Sequence, residues 1–199
     1  MVIDKELDAI DKQLIELLIE DGRMKLVDLG RRLKTTKKEG YSHVGVKKRL
    51  HKLEEEGILK VQANLNLRKL RLVMGLVLLE TGSYETLREV MAKYEDCPRI
   101  LFSFQTSEKF NVVQGILAEN IQELEAYINF CSAKNHPGVR SSLVLISTMN
   151  FNPVFFPVRF IRNNKLQHPP CGSDCTSCAF FESKDCAGCP VCACYRGSY

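Results

Sequence analysis

The chain has 199 residues, 45% hydrophobic and 26% charged, a composition that supports packed cores and excludes a disordered polyelectrolyte. Its longest apolar run, Leu72 to Leu79, is too short to span a bilayer, and the acidic first residues lack a secretory signal's basic start, so a cytoplasmic protein without a membrane partner is expected. The net charge of +4 is unevenly spread: residues 1–22 carry two basic and seven acidic side chains, residues 23–60 twelve basic and five acidic. Such a concentrated positive block points to a polyanion, with double-stranded DNA the first candidate.

Leu7, Ile10, Leu14, Leu17 and Leu18 recur at three- and four-residue spacing, which predicts an amphipathic helix ending at Gly22. Leu26, Leu29 and Leu33 predict a second, shorter helix with Asp28 in its first turn. Ser42 is an expected N-cap for a third helix lined by Val46, Leu50 and Leu53 and closed by Gly57, after which Ile58 and Leu59 begin an extended segment. Three short helices and a strand make a winged helix-turn-helix over residues 1–60.

The apolar stripe of the third helix leaves His43, Lys47, Lys48, His51 and Lys52 directed away from the core. A helix entering the major groove needs such a face, with donors for base edges and cations for phosphates. Lys47 and Lys48 are the primary candidates, and Arg31, Arg32, Lys37 and Lys38 are expected along the phosphate backbone. The plainer alternative is a three-helix packing unit with a solvated basic face.

The stretches "LDAIDKQLIELLIEDGR", "DLGRRL" and "SHVGVKKRLHKLEEEGIL" resemble the helix-turn-helix of the leucine-responsive regulatory protein/AsnC (Lrp/AsnC) family of transcription regulators. Between Leu33 and Ser42 this chain carries "KTTKKEGY", a lysine-rich insertion relative to that family's tight turn.

Residues 61–160 read as β-α-β-β-α-β: a strand in "RLVMGLVLLE", a helix through Leu87, Val90, Met91 and Tyr94, strands in "RILFSFQ" and "FNVVQGIL", a helix with Ile121, Leu124, Ile128 and Cys131 on one face, and a strand in "VRSSLVLIST". That order is a ferredoxin-like sandwich, an α+β fold. The family resemblance extends over roughly residues 7–150, and it implies a homodimer formed through the sheet, able to assemble further. The family's amino-acid sensors carry a Gly- and Asp-containing loop where this chain has "QTSEKFN", so Thr106, Ser107 and Asn111 read as ordinary hairpin polar residues. Cys97 and Cys131 sit in apolar contexts and read as small buried hydrophobes.

Residues 161–199 form a linker and a cysteine-rich module. Cys171, Cys175, Cys178, Cys186, Cys189, Cys192 and Cys194 follow C-x3-C-x2-C-x7-C-x2-C-x2-C-x-C. A C-x2-C turn lets two thiolates reach one ion, and a segment whose main large apolar residues are Phe180 and Phe181 needs metal ligation to fold. Zinc is the expected metal, with a [4Fe–4S] cluster as the alternative, and His168 reads as a linker residue. The tail would brace an interface, sense metal or redox state, or dock the transcription machinery.

The expectation is therefore a DNA-binding regulator and not an enzyme. Two alternatives stand beside it. One is a tetrapyrrole-modifying enzyme resembling the sirohaem decarboxylases, which share this architecture; only His136 lies in the sandwich to serve it. The other is a metal or redox protein acting through the tail.

Overall fold

The computed structural model describes residues 6–34, 41–147, 152–161 and 165–197. Contacts divide the chain into two compact units, residues 1–63 and 64–199, and the cysteine-rich tail lies within the second. No helix among the described residues is long and apolar enough to cross a membrane.

The first unit is built from α1 (Ala9–Glu20), α2 (Leu26–Arg32) and α3 (His43–Glu55). Asp8 caps α1, its carboxylate accepting from the amides of Ile10 and Asp11, and Ser42 caps α3 by accepting from Gly45 N. Leu14, Leu29, Leu33, Val46 and Leu53 make the core, one stripe from each helix. Beyond α3, Gly57 takes φ +67°, and the amides of Ile58 and Leu59 both return to Leu53 O. The expected wing does not form: no strand is present among the described residues of this unit. Ile58 and Leu59 terminate the helix instead of opening a ladder.

Gly30 fixes the approach of α2 to the start of α3. Its carbonyl accepts from Tyr41 N at 3.1 Å, and a Cβ placed on Gly30 would stand 2.2 Å from the Tyr41 carbonyl oxygen. Backbone cannot retreat from that clash as a side chain can. Gly30→Ala is expected to destabilise the unit by about 2–3 kcal/mol, the cost of forced overpacking, as read from denaturant melts.

The second unit holds a four-stranded antiparallel sheet in the order β3–β4–β2–β5, from β2 (Val73–Thr81), β3 (Ile100–Gln105), β4 (Val112–Ala118) and β5 (Val139–Ile146). Helices α4 (Tyr84–Lys93) and α5 (Ile121–Ala126) complete the expected βαββαβ order; the latter runs on into a π-helical turn over Tyr127–Cys131. Ser83 and Asn120 cap the two helices through the amides of Thr86 and Glu123. Val77, Leu79, Val112 and Ile116 bury one face of the sheet against Leu87, Val90, Leu124 and Ile128. Ile121 was expected on that face but is exposed. As the first residue after the cap it precedes the turn that meets the sheet.

The other face of the sheet is apolar too. Phe102, Gly115, Leu76 and Leu145 lie in one cross-strand row, and Phe104, Val113, Leu78 and Leu143 in the next. Phe102, Phe104, Leu143 and Leu145 are each more than a third exposed.

A second, two-stranded sheet joins β1 (Leu65–Asn66) to β6 (Phe155–Phe156). It closes a small core of Leu67, Leu72, Leu117 and Phe160. Nothing in the local pattern of either two-residue strand announces the pairing.

Candidate nucleic-acid interface and cysteine-lined cavity

In the first unit the exposed side of α3 presents His43, Lys47, Lys48, His51 and Lys52. They divide by partner. His51 Nε2 lies 3.2 Å from Glu55 and Lys52 Nζ 4.0 Å from Glu56, both i,i+4 pairs on the helix surface. Arg31 and Arg32 lie 3.5 Å from Asp28 and Glu20. Lys47 and Lys48 make no ion pair among the described residues; they border a shallow groove with Leu26, Val44 and His51. Lys37 and Lys38 lie outside the described residues.

Arg49 was not singled out from the sequence, and its role is to hold α3 against α1. Its guanidinium reaches Asp8 at 2.7 Å and Asp11 at 2.6 Å and lies 5.6 Å from the Tyr41 ring centroid. Asp11 is 5% exposed, and the Arg49 guanidinium is its partner. The Asp11 amide, opposed by burial and assisted by Arg49, holds the Asp8 carboxyl below its ordinary value. A depressed carboxyl stabilises the fold above its unfolded value, near pH 3.9, and that contribution is lost as pH falls through the folded value. The stability difference between the native chain and Asp8→Asn should therefore shrink as thermal melts are taken from pH 6 to below about pH 4.

In the second unit one cavity of about 30 Å³ gathers thiols from distant parts of the chain. Cys171, Cys175, Cys178, Cys186 and Cys189 of the tail line it, together with Cys97 and Cys131 of the sheet domain. Tyr127, Phe130, Pro98, Pro169 and Phe181 complete a largely apolar wall. Cys192 and Cys194, expected among the ligands, are not on that wall. No three His, Cys, Asp or Glu side chains among the described residues are arranged to hold a metal ion; the thiols stand around the space and do not converge. Burial pushes the Cys175 thiol up to about 12 and the Cys186 thiol up to about 11. The donors present are those of a soft metal, with no histidine or carboxylate among them.

The tail is tied to the sheet domain by a buried ion cluster. Arg99, 4% exposed, donates to Glu119 at 2.5 Å, to Glu123 at 3.4 Å and to the Gly188 carbonyl at 3.1 Å. Glu123 in turn accepts from Ala187 N at 2.6 Å, and Tyr195 Oη donates to Glu119. Within the tail, Arg196 stacks 3.7 Å over Phe181, and Leu166 bridges to Cys192 in parallel register. Two of the seven thiols around the cavity, Cys97 and Cys131, come from the sheet domain, where sequence reasoning assigned them to plain packing.

Asn111 Oδ1 accepts from Thr81 N and Oγ1, Thr106 N donates to Asn111 O at 3.1 Å, and Thr106 Oγ1 donates to Phe110 O.

Comparison with known proteins places these features in a family context. The chain is 28% identical over 144 residues to the HTH-type transcriptional regulator FL11 of Pyrococcus horikoshii, covering 70% of this chain and 88% of that protein. It is 27% identical over 151 residues to the leucine-responsive regulatory protein of Rhizobium meliloti, covering 73% and 93%. Among solved structures, B. subtilis LrpC aligns with TM-score 0.57 at 25% identity over 75% of this chain and 99% of that one. E. coli AsnC aligns with TM-score 0.60 at 17% identity, over 73% and 95%. These relatives are regulators, in keeping with a chain that is not an enzyme. Residues 7–54, the capped three-helix unit with its lysine-bearing third helix, match the AsnC-type helix-turn-helix domain, and the chain carries that domain on an Lrp/AsnC-type fold.

Proposed function

We propose that this chain is a DNA-binding transcription regulator of the Lrp/AsnC type that reads duplex DNA with α3, pairs with a second copy of itself and carries a soft metal on its cysteine tail. The observation that carries the DNA reading is the exposed pair Lys47 and Lys48 on an N-capped helix within an AsnC-type helix-turn-helix. The N-terminal half of such a helix, with its amides and its dipole directed at phosphate, is the part that meets base edges and backbone. Arg31 and Arg32 flank it from α2 and can exchange their surface carboxylates for phosphates at small cost, since exposed pairs contribute about 0–1 kcal/mol.

The two exposed apolar rows on the sheet support a homodimer. An apolar surface of that kind on a free subunit favours association with its own copy, and two-fold pairing matches two recognition helices to two half-sites. Phe104→Asp combined with Leu145→Asp should convert the dimer to a monomer in light scattering, and an unchanged mass would place the interface elsewhere. The tail's thiols support zinc or an iron–sulfur cluster as the bound metal.

The DNA reading is tested by fluorescence anisotropy of the full chain on labelled duplex across a salt series. Steep loss of affinity with rising salt is expected, as counterion release demands. Binding absent even at low salt would remove DNA as the partner.

A further inference from the structure

The cysteine-lined cavity carries an inference that rests on the metal reading of the tail and goes beyond it in identity, ligands and place. We propose that the cavity seats a polynuclear iron–sulfur cluster, ligated by four of the five tail thiols that face it, and that this cluster fastens the tail to the sheet domain.

The donor set comes first. Every metal-ligating side chain on the wall is a cysteine, the set that selects zinc, copper(I) or iron–sulfur. Arrangement then separates these. Two structural zinc ions would need two closed tetrahedra of four donors each. The structure instead brings Cys171, Cys175 and Cys178 from one segment and Cys186 and Cys189 from another around a single space, with Cys192 and Cys194 off its wall. No three of these thiols close on one ion. Thiols spaced around one shared space, and not closed on one point, suit a group of several atoms with a cysteine at each of its irons.

Backbone donors already point at the sulfurs. Gly188 N donates to Cys186 Sγ at 3.4 Å, and the amides of Cys189 and Val191 donate to the sulfurs of Cys175 and Cys189. Hydrogen bonds of this kind set the potential of a cluster. Gly172 and Gly188, at φ +74° and +93°, supply the turns that present the thiols.

Place follows from the opposite wall. Cys97, Cys131, Tyr127 and Phe130 belong to the sheet domain, so a group seated here contacts both parts. Cys97 is also held by Tyr127, Sγ to Oη 3.6 Å, which leaves it as wall and not ligand. Loading is a ligand exchange. Four thiolates of a cluster-bearing carrier leave the irons and take up the four protons released by the cysteines, and iron and sulfide keep their oxidation states.

The test begins with iron, acid-labile sulfide and zinc in the full chain purified without oxygen. About four irons and four sulfides per chain, with zinc absent, are expected. Near-stoichiometric zinc without sulfide would overturn the cluster and leave the metal reading of the tail intact, whereas a folded chain with neither would overturn both. Cys175→Ser/Cys186→Ser, which leaves only three lining tail thiols, should lower iron at least tenfold and Cys194→Ser should leave it unchanged; the reverse pattern would overturn the ligand assignment. Should the double variant fail to fold, the native chain's metal content still decides the identity. Finally, chelator-stripped protein should exchange the Ala187 and Ala193 amide hydrogens at least tenfold faster than loaded protein, and equal rates would overturn the fastening role.

Discussion

Replacing Lys47 and Lys48 together by alanine is expected to weaken binding to a specific duplex by about 100-fold at roughly physiological salt, two contacts at about 1.4 kcal/mol each. The two side chains are exposed on α3 and engage no carboxylate among the described residues, so nothing in the fold should be lost with them. Stability should stay within about 0.5 kcal/mol of the native chain, as for most surface substitutions. The salt slope should fall by about one to two, depending on how many of the two lysines meet phosphate and how many a base edge. His51→Ala and Lys52→Ala should weaken binding less, because each side chain already leans on a neighbouring glutamate. Full retention of DNA by the folded double variant would contradict the assignment of α3.

The largest effect on stability is expected at Arg99. Its guanidinium serves two carboxylates, Glu119 and Glu123, whose side chains are 11% and 8% exposed, and a tail carbonyl. Arg99→Met fills most of the volume but strands both acids in a nearly dry site. Breaking a buried pair by removing one partner costs about 3–5 kcal/mol. For a unit of this size that corresponds to a fall in Tm of roughly 10 °C. Tail amides near Ala187 and Gly188 should lose exchange protection before the sheet does, since Glu123 also holds Ala187 N. Glu119→Gln combined with Glu123→Gln in the Arg99→Met background should recover part of the loss by removing the stranded charges. A cost below about 1 kcal/mol for Arg99→Met would show that water reaches the site.

The helical unit was legible because three kinds of signal agree there. The periodicity of Leu14, Leu29, Val46 and Leu53 marks the buried stripes, Ser42 marks a cap, and the lysines occupy what the stripes leave over. The βαββαβ order was legible from apolar runs and spacing, with an unbroken apolar stretch opening Val73–Thr81 and alternation at Ile100, Phe102 and Phe104. Apart from Ile121, misplaced by its position at the start of α5, the failures are non-local. Ile58 and Leu59 look like the start of a strand, but a strand needs a partner, and their amides are taken by Leu53. β1 finds its partner some ninety residues away in β6, a pairing two residues long with no period to read. Arg99 was not singled out in the sequence, and only the fold closes Glu119, Glu123 and the tail over it. Cys97 and Cys131 are correctly apolar in context, and only the folded chain shows that five tail thiols face the same space. Composition singled out the tail as a candidate metal segment, and it could not say where the segment docks.

The most direct measurement of the central claim is selection of the full chain against a pool of random duplex DNA, with sequencing of the bound fraction. The account predicts enrichment of a pseudo-palindrome whose half-sites lie about one helical turn apart, abolished by Lys47→Ala/Lys48→Ala. A bound fraction with the composition of the input pool, from a folded chain at moderate salt, would contradict it.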